Sequence, residues 1–222
     1  MSGHRTVSPK VRNPPRGDDG ARHPAGARDG RRRTGATTPA LPHEVRIIGG
    51  ALKRSKLPVP DKPGLRPTPQ RVRETLFNWL GQDLSGWACL DAFAGSGALG
   101  FEAASRGAAS VLMLERDPEL VAALRTSQQR LKADAVRIER TDALSWMRAA
   151  NPSKFDLVLL DPPFDAPGLL ANAIEAATHL LNSAGAIYAE SDHALLQAPD
   201  GFAIWRQARA GAVWAQLLRR GS

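Results

Sequence analysis

Hydrophobic positions are spread unevenly along this chain. Up to Pro42 the only large apolar side chains are Met1, Val7, Val11 and Leu41. So little apolar surface cannot offset the entropy of ordering, and residues 1–42 are expected to form a disordered tail. From His43 the pattern becomes regular. Val45-Arg46-Ile47-Ile48 predicts a short strand closed by Gly49-Gly50, and Lys56 to Pro60 an extended, proline-limited edge segment. Thr68 stands where an N-cap belongs and Pro69 where a missing N–H is harmless. Val72, Leu76, Trp79 and Leu80 then recur at helical spacing up to Gly81. Residues 43–82 are therefore expected to be a small strand-and-helix extension.

From residue 83 onward strand and helix alternate. Strands are predicted over Trp87–Asp91, Ser110–Glu115, Val136–Arg140, the almost wholly apolar Phe155–Leu160, and Ala186–Glu190. Helices are predicted over Gly97–Arg106, Pro118–Lys132, Ala143–Ala149 and Pro167–Leu181. Phe202–Arg206 and Ala212–Leu218 read as two closing strands joined by a short connection, hence antiparallel at one edge. The series predicts a doubly wound α/β domain over residues 83–222, a mostly parallel seven-stranded sheet with an antiparallel edge pair. Ligands of such sheets bind at the carboxyl ends of the strands, and the unusual residues of this chain collect there.

Charge sharpens the picture. The tail carries nine Lys or Arg against three Asp, a net +6, while the remainder carries 21 against 19, a net +2. A basic tail with Arg31-Arg32-Arg33 suits phosphate backbones, though a merely solvated extension has the same composition. Cys89 is the only cysteine, which excludes intrachain disulfides and a cysteine-based metal site. The five histidines lack metal-ligand spacing, so no metal is expected. No apolar run approaches a membrane span and no secretory signal opens the chain, so a cytoplasmic monomer with no membrane partner is expected.

The first strand of the alternating series runs into Asp91-Ala92-Phe93-Ala94-Gly95-Ser96-Gly97-Ala98-Leu99-Gly100. Gly95, Gly97 and Gly100 satisfy G-x-G-x-x-G, which permits a tight turn and close approach of backbone to a ligand beside a helix N-terminus. Glu115 ends the next strand, placed to accept from a ribose diol. NAD and S-adenosylmethionine share both features. Asp91 separates them: a carboxylate there repels a pyrophosphate but attracts a sulfonium and an ammonium group. Asp142 follows the third strand, where it can accept from an adenine amine or merely cap the helix from Ala143. The expected cofactor contacts are Asp91, Phe93, Gly95, Ser96, Gly97, Glu115, Asp142 and Ala143, with S-adenosylmethionine as the cofactor.

The fourth strand ends in Asp161-Pro162-Pro163-Phe164. Two prolines remove backbone donors and stiffen the bend, leaving carbonyls to accept. Beside a carboxylate they make an acceptor-rich pocket for an N–H₂ group. Hydrogen bonds from both amine hydrogens, to Asp161 and to the Pro162 carbonyl, localise a lone pair otherwise delocalised into a base, and they strengthen in the transition state. Phe164 is placed to stack on the extruded base.

Asp161-Pro162-Pro163-Phe164 resembles the signature of methyltransferases acting on adenine N6, guanine N2 or glutamine amino groups. Val45-Arg-Ile-Ile-Gly-Gly, Leu65-Arg-Pro-Thr, Arg71 to Leu80 and Asp91 to Gly100 together resemble the bacterial 16S rRNA guanine-N2 methyltransferase family, across Val45 to Leu218. The resemblance implies a Rossmann-like class I methyltransferase fold and S-adenosylmethionine as methyl donor. It also implies catalysis at Asp161, Pro162, Pro163 and Phe164, and the small ribosomal subunit or its assembly intermediate as partner. Arg66, Thr68, Arg71 and Arg73 precede or begin a helix expected beside the catalytic mouth and are candidates for RNA contact. Ordinary Arg/Glu pairing on a surface helix is the competing reading. Adenine-N6 methylation, a nicotinamide-dependent oxidoreductase and a non-catalytic assembly factor are the alternatives.

Overall fold

A computed structural model describes residues 44–62, 65, 67–152 and 154–221. The expected basic tail, and Arg66 with it, lies outside these residues. The elements in chain order are β1 (Glu44–Arg46), β2 (Lys56–Pro58), α1 (Gln70–Leu80), β3 (Ala88–Asp91), α2 (Ala98–Ser105), β4 (Ser110–Glu115) and α3 (Pro118–Leu131). They continue with β5 (Val136–Arg140), α4 (Ala143–Ala149), β6 (Phe155–Leu160), α5 (Leu169–Thr178), β7 (Leu181–Ser191), β8 (Phe202–Ala210) and β9 (Val213–Arg220).

Seven strands form one sheet in the order β5-β4-β3-β6-β7-β9-β8. β3, β4, β5, β6 and β7 run parallel, whereas β9 is antiparallel to both β7 and β8. The chain therefore leaves β3 toward β4 and β5 on one side, then returns to lay β6 on the other. Between β3 and β6 the winding reverses, and there the helices diverge to leave a crevice above the strand ends. Asp91 closes β3 and Asp161 follows β6, so both stand at this switch point.

The sheet is Rossmann-like, as expected, and covered on both faces. In β6, Leu157 and Leu159 enter a core with Leu76, Phe77, Phe101, Tyr188 and Leu217, while Val158 and Leu160 enter another with Leu90, Met147, Ile174 and Leu218. Burial on both faces explains the unbroken apolar run.

β1 and β2 pair as an antiparallel hairpin, a partnership the sequence pattern did not specify. A buried carboxylate ties the following loop to α2. Glu102, wholly buried, accepts from the Ile48 and Gly49 N–H groups at 2.8 Å each, from Arg73 Nη1 at 3.3 Å and from Arg106 Nε at 3.0 Å. Flanked by two guanidiniums and two amides, the charge is satisfied without water.

Several boundaries differ from the periodicity reading. The helix expected over Pro167–Leu181 is shorter, Leu169–Thr178, and β7 starts at Leu181, taking up residues assigned to a loop. β8 continues past Arg206 to Ala210, through a polar, arginine-bearing stretch that shows no apolar alternation because it lies at the sheet edge. Thr68 is not the cap of α1. Pro69 occupies that position in extended backbone with no side-chain cap, and Gly81 ends the helix in the left-handed conformation (φ 90°).

Candidate active site

The glycine turn after β3 is shaped by two steric demands. Gly97 adopts φ 79° immediately before α2, a conformation a Cβ disfavours. Gly100 lies against the sheet: a Cβ there would overlap the Met113 methyl and stand 2.9 Å from Asp91 Oδ2. That closeness lets the Gly100 N–H donate to Asp91 Oδ2 at 2.9 Å. Glu115 clamps the turn from the next strand, accepting from Gly95 N–H and from Asp117 N–H, each at 2.9 Å. Phe93 and Gly95 remain partly exposed at this rim, and Ser96 is buried beside them.

Asp91 is 1% exposed, and its Oδ1 has no hydrogen-bond partner among the described residues. Burial raises its carboxyl to about 7, opposed by the Gly100 amide and reinforced by the charges of Asp161 and Glu115. A buried acceptor without a donor is costly unless a ligand supplies one. The donor set fits a cationic group: S-adenosylmethionine presents an ammonium and a sulfonium, whereas a pyrophosphate would meet Asp91 and Glu115 as like charges.

Asp142 is exposed and caps α4, accepting from the Ser145 N–H at 2.9 Å, and the Ser145 amide and hydroxyl hold its carboxyl below the usual range. The capping reading is thus realised. Ala143 beside it is buried.

The tetrapeptide follows β6. Asp161 is half-buried, Pro162 buried, and Pro163 and Phe164 exposed, Phe164 by 42%. The Pro163 carbonyl accepts from Ala166 N–H at 3.3 Å, while no backbone donor among the described residues engages the Pro162 carbonyl. That carbonyl is therefore available to a ligand amine. Asp161 Oδ2 accepts from the Thr68 hydroxyl at 3.1 Å, across 93 residues of sequence. Burial raises the Asp161 carboxyl to about 6, against the pull of that hydroxyl.

Two residues of this site were not anticipated. Glu190, 1% exposed near the end of β7, accepts from the Tyr188 hydroxyl at 2.9 Å. Burial and the Asp161 charge push its carboxyl well up. Thr68 and Tyr188 thus each donate a hydroxyl to one carboxylate, Asp161 and Glu190 respectively. The sequence did carry one signal, a glutamate closing an apolar strand at its carboxyl end.

Two expected RNA contacts are corrected. Arg73 is 2% exposed and points inward, donating to the Thr68 carbonyl at 3.3 Å, to the Arg46 carbonyl at 2.9 Å and to Glu102. It braces the loop carrying Thr68 and has no free face for a phosphate. Thr68 itself is 5% exposed and is committed to Asp161. Arg71 alone of the described candidates is exposed. The competing reading, an Arg/Glu pair on a surface helix, is not realised between Arg71 and Glu74; Glu74 accepts from Gln70 instead.

Known proteins share this arrangement. The family described as Conserved hypothetical protein 95 matches residues 45–219. Ribosomal RNA small subunit methyltransferase D of Escherichia coli is 43% identical, over 80% of this chain and 90% of its own length. The protein of that name from Haemophilus influenzae is 39% identical, over 82% and 97%. Among solved structures, the candidate methyltransferase yhhF from Escherichia coli superposes with a TM-score of 0.71 at 41% identity, covering 80% of this chain and 98% of that one. A candidate methylase from Haemophilus influenzae gives 0.67 at 35% identity, over 80% and 98%. The crevice at the switch point and the Asp-Pro-Pro-Phe bend beside it therefore have a family context, and this chain belongs to the ribosomal RNA small subunit methyltransferase D family.

Proposed function

We propose that this protein methylates the exocyclic N2 amine of a guanine in the 16S RNA of the small ribosomal subunit, or of an assembly intermediate. The observation carrying this reading is the juxtaposition at the switch point of a buried acceptor without a donor, Asp91 Oδ1, and an amine-sized acceptor pair, Asp161 with the Pro162 carbonyl. The names of the 43% and 39% identical relatives supply the RNA.

S-adenosylmethionine supplies an activated methyl group when bound. Asp91, the turn from Phe93 to Gly97, Glu115 and the Asp142-Ala143 corner are the residues to hold it. Asp161 and the Pro162 carbonyl accept one hydrogen each from the base amine and so draw the nitrogen lone pair out of ring conjugation. As the amine attacks, its hydrogens become more acidic and both bonds strengthen, so the stabilisation falls on the transition state. The departing proton passes to Asp161, whose raised affinity for it suits the role. Thr68 fixes the carboxylate by donating to its Oδ2, which leaves Oδ1 for the amine. Phe164 offers an exposed ring at the rim on which an extruded base stacks.

The test is incubation of the full chain with methyl-labelled S-adenosylmethionine and small subunits isolated without this modification, followed by nucleoside analysis. Labelled N2-methylguanosine is the expected product. Label in methyladenosine would move the target to adenine, and no label in any RNA nucleoside would overturn the reading.

A further inference from the structure

The β8–β9 hairpin, Phe202 to Arg220, contains four arginines, two tryptophans and no acidic residue. Among the described residues none of the four arginines forms a salt bridge. They lie over rings instead. Trp205, 37% exposed, lies within 4.3 Å of the Arg206 guanidinium and 3.7 Å of that of Arg219, and Arg209 lies 5.6 Å from the Trp214 ring. A shift in register between Ile204 and Arg206 places the extra residue, Trp205, in reach of both. Arg219 Nε is buried with no partner among the described residues, and partial burial, reinforced by the neighbouring Arg206 charge, lowers its proton affinity. Two like charges drawn onto one indole with no counter-ion call for an external anion.

The register locates this cluster relative to the active site. Trp214 pairs with Ser191 and Ala215 with Glu190, so the hairpin tip stands at the catalytic end of the sheet, while Arg219, opposite Ala186 and Ala203, stands at the other. Near the tip, Arg71 of α1 and Arg209 line one cleft with Val72, Thr75 and Ala208. Arg206 shares its side of β8 with Ala208 and Ala210, the side on which α1 packs. From Trp214 to Arg219 the strand covers about 17 Å.

We infer that the α1 side of this hairpin is an RNA-binding track, running from Arg71 at the catalytic mouth to Trp205 between Arg206 and Arg219, which grips the ribosomal RNA flanking the target nucleotide. Arginines take the phosphates and the indole offers a stacking face that any base satisfies. The track rests on the ribosomal RNA reading above, and its test separates the two. Affinity of the full chain for small subunits, and steady-state methylation, are measured for the wild type, Arg206→Gln and Trp205→Leu. Both sites are exposed, and Arg206→Gln spares the partly buried Arg219. For Arg206→Gln the slope of log affinity against log salt is expected to fall by about one, and for both variants affinity to drop on the order of tenfold, with kcat retained. A wild type that methylates the subunit beside variants with unchanged affinity and slope would overturn the track alone. Variants that keep their affinity but self-associate would identify the arginines as guards of the last strand's edge. A wild type that neither binds nor methylates the subunit would overturn both readings.

Discussion

The Thr68 hydroxyl donates to Asp161 Oδ2 at 3.1 Å, linking the loop before α1 to the bend after β6. One small side chain thereby fixes the Asp161 carboxylate from a loop 93 residues away in sequence. Thr68→Val removes the donor and keeps the shape. A hydrogen bond to a charged group contributes about 1.5–3 kcal/mol, so kcat is expected to fall at least tenfold with little change in cofactor affinity. Steady-state kinetics beside calorimetric cofactor titration check this.

Cofactor binding should depend on pH through Asp91. Its carboxyl is raised to about 7 chiefly by burial, so the group is largely protonated below that pH and ionised above it. Only the ionised form attracts a cationic ligand. Affinity for S-adenosylmethionine is therefore expected to rise between pH 6 and 8, and Asp91→Asn should bind weakly at both. Isothermal titration at the two pH values is the measurement; a flat wild-type profile would separate Asp91 from the ligand.

Glu190 sets a second dependence. Burial and the Asp161 charge hold its carboxyl well above the ordinary range, so the folded state retains a proton that the unfolded chain releases near pH 4 to 5. With the folded value raised, stability is greatest below the unfolded value and declines as pH rises toward the folded one. Glu190→Gln removes the titration, and its stability is expected to decline less than that of the wild type between pH 5 and 8. Burial, not Glu190, raises the Asp161 carboxyl to about 6, so the acid limb of kcat, near pH 6 in the wild type, should stay in place. Urea unfolding and pH–rate profiles of both proteins test the pair of effects.

The Glu102 hub is structural. Glu102→Ala leaves Arg73 and Arg106 buried without their counter-ion and the Ile48 and Gly49 amides without their acceptor. A cost of about 3–5 kcal/mol is expected from breaking such a buried pair. Since Arg73 also holds the Thr68 carbonyl, methyl transfer should weaken with stability. Chemical denaturation measures the first effect. Unchanged stability would show that water reaches the hub.

The parallel strands were legible in the sequence because each is a short apolar run ending in a chemically distinct residue: Ser110–Glu115, Val136–Arg140 and Phe155–Leu160 match the structure residue for residue. The sequence reading of β8 stops four residues short, since an edge strand carrying arginines lacks the alternation that marks a half-buried one. The glycine turn, Asp91 and Asp161 stand at the expected strand ends because the winding order alone dictates where strands end. Thr68 and Arg73 were misplaced for a tertiary reason. A threonine before Pro69 has the signature of a helix cap, and an arginine off the apolar stripe that of a surface residue. Only the packing of α1 shows the first turned to Asp161 and the second to Glu102. Glu190 went unnoticed because a carboxylate in an apolar strand gains meaning only from the strand beside it.

The most direct test of the account is Asp161→Ala, examined by cofactor titration and by single-turnover transfer of labelled methyl to unmodified small subunits. Asp161 is assigned to the amine, while Asp91 and the glycine turn hold the donor. S-adenosylmethionine affinity is therefore expected to stay within a few-fold of wild type while the transfer rate drops by about two orders of magnitude or more. Equal losses in affinity and rate would place Asp161 in donor binding, and an undiminished rate would remove it from the chemistry.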